Sequence, residues 1–324
     1  MGRTKAPWIW VGSTIWSTAS GITQAAFRAG LLKAQKLPAK VISVGNLQAG
    51  GSGKTPLIAE IARQALEKKL SVCILTRGYR GKWEKSGGTI EPGSLPATPS
   101  LCGDEAALLH ELVPEAWIGV GADRVSRFES VASMAGRPFD VILLDDGFQH
   151  WRVFKDVEVL ALTSNGRSDV LYRDWFHAAQ RAHLLVWTKG ELKPEGLPAD
   201  LESGCVRVRL TLPSSSPKGL KVWLVTGVGD GEEVARSVEK AGYSLQKHIR
   251  NGDHAFYSRA QITQWLQQAR EGGCQLALTG KDWVKWREMG WEREGLLVLE
   301  PKVVIEEGLE LWNRKLWGES FSPS

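Results

Sequence analysis

The stretch KVISVGNLQAGGSGKTPL, residues 40–57, contains a short apolar run that gives way to a glycine-rich turn. An apolar strand, a flexible turn and a Gly-Lys-Thr triplet are typical of a phosphate loop. Glycines let backbone N–H groups surround a phosphate, the lysine reaches the β- and γ-phosphates, and the threonine hydroxyl suits Mg²⁺. We therefore predict that nucleotide phosphates are bound by Gly50, Gly51, Ser52, Gly53, Lys54 and Thr55.

The residues around this turn support that interpretation, with one departure. The usual pattern has glycine where this chain has Gln48, and neighbouring glycines supply the flexibility instead. Pro56 suits a first helical turn, and apolar residues recur at helical spacing behind it. An ordinary glycine-rich turn between a strand and a helix is the alternative.

Composition and charge limit the classes of protein to consider. The 324 residues are 43% hydrophobic and 24% charged, which is typical of a globular chain of about two domains. Net charge is +5, whereas residues 1–40 contain six basic residues and no acid, so the remainder carries −1. This distribution argues against a nucleic-acid surface on the body and favours an anionic partner near the N-terminus. The four cysteines form no C-x-x-C pair, so we expect neither a zinc site nor a disulfide framework. This use of cysteine is typical of a protein in a reducing compartment.

Residues 8–32 interleave three tryptophans and other apolar residues with serine, threonine and glycine. The stretch lacks the run of roughly 18 apolar residues that a transmembrane helix requires. Tryptophans flanked by cations are typical of a helix lying in a bilayer interface near anionic headgroups. A cleaved signal peptide and an amphipathic helix packed on the chain's own core are the alternatives.

Strands alternate with helices after the phosphate loop, which predicts a doubly wound, mostly parallel α/β sheet. The predicted strand Val141–Leu144 runs into Asp145 and Asp146, as expected of a Walker B strand whose carboxylate reaches Mg²⁺. Asp104 and Glu105 precede a predicted helix over Ala106–Leu112, behind a long loop at 82–103. A helix cap at Asp104 and a polar turn at Asp145 are the alternatives.

Three segments are predicted along the chain. Residues 1–39 form an amphipathic, membrane-associated segment, residues 40–216 form a P-loop core, and residues 217–324 form a smaller C-terminal α/β domain. The serine- and proline-rich stretch Pro213–Lys218 marks the boundary between the last two.

With these motifs in place, the chain resembles the tetraacyldisaccharide 4'-kinases of lipid A biosynthesis over most of its length. The resemblance rests on Val44-Gly45-Asn46-Leu47, residues 50–56, Arg77-Gly78-Tyr79, Gly121-Ala122-Asp123-Arg124, residues 145–150, Asp253-His254, and Thr279 with Lys281-Asp282. The chain departs from the family pattern at Ala106, at Gly280 and at residues 170–174. Arg173 still corresponds to a family arginine, because the later Arg181-Ala182 keeps the family's spacing.

The resemblance implies transfer of the γ-phosphate of ATP to the 4'-hydroxyl of a tetraacylated glucosamine disaccharide 1-phosphate, which forms lipid IVA, with Mg²⁺ as cofactor. Lys54 would hold the transferred phosphate, Asp104 would accept the hydroxyl proton, and His254 would orient Asp104. The metal would be held by Thr55 and by Asp145 or Asp146, with Glu105 nearby. Substrate contacts are expected from Arg77, Tyr79, Arg124, Gln149 and Arg173.

The expected partners are a glycolipid substrate and a membrane surface, without nucleic acid, and a monomer is expected. The implied location is the cytoplasmic face of the inner membrane, with peripheral or monotopic attachment. Two other classes remain open. One is a P-loop nucleotide switch or assembly factor at a membrane surface, favoured by Thr188-Lys189-Gly190-Glu191 as a loose match to a guanine-reading motif. The other is a membrane-recruited binding protein whose phosphate loop no longer catalyses.

Overall fold

The computed structural model describes residues 7–48, 51–164, 170–190, 205–215, 217–252 and 257–318, with only the backbone at 7–10 and 28. A long helix is followed by alternating strands and helices. The first half comprises α1 (Pro7–Arg28), β1 (Lys40–Asn46), α2 (Lys54–Glu67), β2 (Val72–Thr76), α3 (Trp83–Ser86), β3 (Gly88–Ile90), α4 (Pro99–Cys102), α5 (Asp104–Leu112), β4 (Trp117–Val120), α6 (Arg124–Ala135) and β5 (Val141–Asp145).

The second half holds the rest of the first sheet and all of a second one. It comprises β6 (Val157–Thr163), a 3₁₀ helix (Phe176–Arg181), β7 (Leu184–Lys189), β8 (Cys205–Thr211), β9 (Lys221–Thr226), α7 (Gly231–Lys240), β10 (Ser244–Arg250), α8 (Arg259–Glu271), β11 (Gln275–Thr279), α9 (Gly280–Glu288), β12 (Leu296–Leu299), β13 (Lys302–Glu307) and α10 (Leu309–Trp317).

The large sheet has the strand order β13-β8-β7-β6-β1-β5-β2-β4-β3 in the described part of the chain. Its strands run parallel except at the two edges, where β3 and β13 pair antiparallel. The central strand β1 lies between β5 and β6, so the phosphate loop and the acids after β5 leave the sheet at the same edge. The predicted doubly wound, mostly parallel sheet is confirmed.

Residues alternate between two apolar layers along the central strands. Ile42 and Val44 face the layer that holds α2 and α5, whereas Val41 faces the layer that holds α6. Strands buried on both faces are near-continuous apolar runs, as a parallel sheet covered by helices requires. This burial makes the centre of the sheet a rigid support for the loops at its carboxyl edge.

A second sheet of four parallel strands has the order β10-β9-β11-β12. Its helix α9 packs against α5 of the large domain, and Trp283 of α9 donates a hydrogen bond to Glu111 at 3.0 Å. The predicted smaller α/β domain is therefore present, and it contacts the helix that begins at Asp104.

The predicted domain boundary is wrong at its C-terminal end, because residues 302–317 return to the large domain. β13 pairs with the edge strand β8, and α10 buries Trp312 and Leu316 against the first domain. The indole N–H of Trp312 donates to Gln64 of α2 at 2.9 Å. An exposed strand edge at β8 and an apolar face on α2 supply partners that are far away in sequence.

The predicted long loop at 82–103 also contains more structure than expected. Two short helices, α3 and α4, and the edge strand β3 lie within it. Each is only three or four residues long, which is too short for a periodic pattern to be visible in sequence. These elements bring the loop back to the start of α5.

Among its described side chains, helix α1 turns mainly polar residues toward the rest of the protein. Ser13 and Ser17 are fully buried, while Ile15 and Ile22 are 67% and 68% exposed. Ser13 Oγ accepts a hydrogen bond from the backbone N–H of Tyr172 at 2.8 Å. For the described side chains, this orientation is the reverse of a helix whose apolar face packs on its own core, which argues against that alternative. Within the described ranges, no helix has the length and apolar character needed to cross a bilayer.

Candidate active site

The phosphate loop joins the end of β1 to the start of α2. Gly53 adopts a left-handed conformation with φ 73°, which favours glycine, and Lys54 begins the helix. Asn46 Nδ2 donates to Ser52 Oγ at 2.7 Å, and Thr188 Oγ1 donates to the Ser52 carbonyl at 2.9 Å. These bonds hold the described part of the loop from both sides, with Thr55 buried in the first helical turn. Gly50 lies outside the described residues, so its role stays a prediction.

Asp145 ends β5 and is buried beside the phosphate loop. The hydroxyl of Thr76 donates to its Oδ2 at 2.7 Å. Burial raises the pKa of Asp145 to about 6, and repulsion from Glu105 and Asp146 adds to that increase. Three carboxylates therefore influence one another at this point of the sheet edge.

The next residue has the opposite electrostatic character. Asp146 has φ 52°, a left-handed conformation that aspartate tolerates, and its side chain pairs with Lys54 at 3.3 Å and with Arg173. Burial alone would raise the pKa of Asp146, but the two cations hold it at about 2. As expected for adjacent carboxylates, the two side chains have different partners.

Asp104 and Glu105 begin α5, directly after Gly103, whose φ is 85°. Their position depends on a close approach between two loops, because a Cβ on Gly81 would lie 2.4 Å from the Gly103 nitrogen. Asp104 is buried and lies 3.8 Å from Lys285 Nζ of α9. Glu105 Oε1 accepts a hydrogen bond from Lys281 Nζ at 2.8 Å.

The donor set fits Mg²⁺ bound together with nucleotide. Carboxylate and hydroxyl oxygens are hard ligands that Mg²⁺ prefers, and Mg²⁺ is normally held by one or two carboxylates, substrate phosphates and water. No group of three or more acidic, histidine or cysteine side chains in the described ranges forms a ready-made metal cage. The predicted set of Thr55, Asp145, Asp146 and Glu105 thus suits a metal that arrives with phosphates better than a resident ion.

Two of the five predicted substrate residues lie at the phosphate-loop side, and the other three have partners that are near them in sequence. Arg173 and Gln149 lie at the phosphate-loop side, where Arg173 pairs with Asp146 and Gln149 Nε2 donates to the Asn46 carbonyl at 3.0 Å. Arg124 is buried and donates to the Gly121 carbonyl at 2.8 Å. Arg77 pairs with Glu84 at 2.7 Å, and Tyr79 is half exposed with Arg80 stacked at 5.4 Å.

A groove of about 480 Å³ lies between α1 and the loop that follows Asp146. It is lined mainly by apolar atoms, and Gln149 connects it to the phosphate-loop side. The lining residues are Gly12, Ile15, Trp16, Ala19, Ser20, Thr23, Gln149 and Trp151.

The structure adds residues that the sequence motifs did not indicate. Arg181 lies between the rings of Phe148 and Trp151, 4.3 Å from each centroid, and pairs with Asp174 at 3.2 Å. Ser20 of α1 donates to the same Asp174 carboxylate at 3.3 Å. The sequence indicates only the spacing of Arg181 from Arg173, because stacking between distant residues leaves no local pattern.

His254 and Asp253 lie outside the described residues, so the predicted contact of His254 with Asp104 stays a prediction. The chain resumes at Tyr257, whose hydroxyl donates to the buried Asp282 at 2.6 Å. Asp282 also accepts from the Gly227 backbone at 3.1 Å. Tyr257 is thus anchored in the second domain, near the start of α9.

Comparison with known proteins identifies the family of this chain. The sequence matches the family described as Tetraacyldisaccharide-1-P 4'-kinase over residues 5–315. The chain belongs to this family. A tetraacyldisaccharide 4'-kinase of Pelobacter propionicus is 33% identical over 291 residues, covering 83% of this chain and 79% of the relative. The Aquifex aeolicus member is 31% identical over 298 residues, covering 87% and 89% of the two chains.

Family membership extends to the three-dimensional structure. The crystal structure of LpxK from Aquifex aeolicus, determined in complex with ATP, superposes with a TM-score of 0.70 at 25% identity. The match covers 94% of this chain and 97% of that one. The predicted family is therefore confirmed in sequence and in fold.

Proposed function

We propose that this tetraacyldisaccharide 4'-kinase family member transfers the γ-phosphate of ATP to the 4'-hydroxyl of a tetraacylated glucosamine disaccharide 1-phosphate. The observation that carries the proposal is the convergence of Lys54, Asp145, Asp146 and Glu105 at one sheet edge. Phosphoryl transfer needs positioning and charge neutralisation more than covalent catalysis, and this cluster supplies both.

Lys54 and the loop N–H groups would bind the β- and γ-phosphates. Thr55, Asp145, Asp146 and Glu105 would hold Mg²⁺, which neutralises charge on the phosphates when bound. Lys54 now pairs with Asp146, and a bound phosphate would compete for that lysine. Arg173 also pairs with Asp146, and a bound phosphate would compete with that carboxylate for the arginine as well.

Asp104 is the proposed general base for the 4'-hydroxyl, with His254 as the residue that orients it. Asp104 is buried at the start of α5, which supports this role. A site closed to water keeps water from replacing the lipid hydroxyl as the acceptor of the phosphate. The neighbouring Lys285 belongs to α9 of the second domain, and His254 would approach Asp104 from the same domain.

The lipid substrate would be met at a membrane surface, on the cytoplasmic face of the inner membrane, by a peripheral or monotopic monomer. The outward apolar side of α1 supports this part of the proposal, since Val11, Ile15, Trp16 and Ile22 are all exposed. Six cations and no acid in residues 1–40 favour anionic headgroups. The α1 groove, with Gln149 at its inner side, offers a path from that surface toward the phosphate loop.

A direct assay tests the activity. Purified protein would be incubated with γ-labelled ATP, Mg²⁺ and the tetraacyldisaccharide 1-phosphate in detergent micelles, and label on the lipid would be quantified. We expect transfer that requires the free 4'-hydroxyl, so the same lipid already phosphorylated at that position is the matched control. Preference for GTP with lipid-independent hydrolysis would instead identify a nucleotide switch, and lipid binding without ADP release would identify an inactive binding protein.

A further inference from the structure

A row of ion pairs joins the two domains along α5 and α9, and we name it the α5–α9 interface. Lys281 pairs with Glu105 at 2.8 Å, Lys285 lies 3.8 Å from Asp104, and Arg287 pairs with Glu111. All the cations belong to α9 of the second domain, and all the acids belong to α5. The position of the second domain is therefore coupled to the charge on α5.

The two ends of this interface have different surroundings. At one end, Arg287 also donates to the Ala97 carbonyl at 2.9 Å, and Trp283 shares its Glu111 partner. At the other end, the attraction of Lys281 lowers the pKa of Glu105, with a further contribution from Lys54. Only the Lys281 end thus reaches the phosphate-loop cluster.

Cations from both domains surround the carboxylates of this cluster. Lys54 and Arg173 pair with Asp146, the buried Arg124 attracts Asp145, and Lys281 pairs with Glu105. A dication beside Glu105 would repel an ammonium that is bonded to the same carboxylate. Lys281 and a metal therefore compete for Glu105. Lys281 belongs to the second domain, whereas the other proposed metal-binding residues belong to the large domain.

We propose that Lys281 is a positioning residue that holds Glu105 in the nucleotide-free enzyme and releases it when Mg²⁺ arrives with ATP. The exchange makes the contact between the domains at α9 depend on occupancy of the phosphate site. This inference rests on the proposed role of Glu105 at the metal.

The test measures nucleotide binding rather than turnover. ATP binding would be followed by calorimetry over a series of MgCl₂ concentrations in wild type and in Lys281→Met, which keeps the side-chain length but removes the charge. We expect Lys281→Met to need roughly two- to fivefold less Mg²⁺ for half-maximal binding, the range expected for loss of a partly exposed ion pair. Lys281→Arg should behave as wild type, because it keeps the competing charge.

Arg287→Met is the matched control, since it removes an ion pair from the same interface at the end remote from the metal. It should lower the unfolding temperature while leaving the Mg²⁺ requirement unchanged. An unchanged or higher Mg²⁺ requirement in folded Lys281→Met would overturn the inference.

Glu105→Gln separates this inference from the proposed function. If that variant needs more Mg²⁺ while Lys281→Met matches wild type, the metal role of Glu105 stands and the role of Lys281 is wrong. If neither variant changes the requirement, the metal role of Glu105 fails and the inference fails with it. In the double variant, the effect of Lys281→Met should disappear.

Discussion

Replacing Asp145 with asparagine should stabilise the protein in the absence of Mg²⁺ and nucleotide. The carboxylate is buried, and its pKa is raised from 3.8 to about 6 by burial and by its acidic neighbours. One pKa unit corresponds to about 1.4 kcal/mol, so the ionised side chain costs about 3 kcal/mol at neutral pH. Asparagine removes this cost and keeps an oxygen that accepts the hydrogen bond from Thr76.

The gain should depend on pH in a defined direction. The folded protein binds the Asp145 proton more tightly than the unfolded chain, so the contribution of Asp145 to stability is greatest below the unfolded pKa and is lost as pH rises through about 6. Asp145→Asn should therefore gain about 3 kcal/mol near pH 7.5 and roughly half of that near pH 5. The measurement is urea unfolding of wild type and variant in EDTA at both pH values.

Asp146→Asn is the matched control with the opposite expected sign. Lys54 and Arg173 hold the pKa of Asp146 at about 2, so its charge stabilises the folded state at neutral pH. Removing this charge should therefore lower the free energy of unfolding. A gain from Asp145→Asn that is equal at the two pH values would refute the electrostatic argument. So would a loss of stability in Asp145→Asn near neutral pH.

Three further variants test the other parts of the site. Lys54→Ala should leave folding intact but reduce phosphate transfer roughly 10²- to 10³-fold in the label assay, and near-normal transfer would reject the phosphate-loop assignment. Asp104→Ala should reduce turnover by ~10²–10⁴-fold at saturating ATP with little change in ATP affinity, and adding His254→Ala should have little further effect, whereas losses that multiply would mean independent roles. Replacing Ile15 and Trp16 with serine should weaken sedimentation with anionic vesicles, with Thr18→Ala as the exposed control, and unchanged binding would reject membrane docking by α1.

The sequence determined the phosphate loop, the acids after β5 and the parallel sheet that places them at one edge. These features are local, since a strand, a glycine-rich turn and a helix each leave a periodic or compositional pattern. Because parallel strands end at the same edge, Lys54 and Asp145 could be placed together without knowing the strand order. The family resemblance added the reaction and most of the candidate residues.

Tertiary structure decided which partner each of these charges has. Asp145 and Asp146 are adjacent in sequence, yet burial beside Thr76 raises one pKa and two cations lower the other. Lys281 meets Glu105 across 176 positions, a contact that depends on how two domains pack.

The error in the predicted domain boundary and the inward side of α1 both concern contacts between distant segments. Only packing shows that Ser13 and Ser17 lie on the inward side of α1. The return of β13 to β8 depends on a free strand edge that exists only once the large sheet has formed. Local pattern specifies the elements, whereas burial and pairing between distant segments specify which surfaces meet.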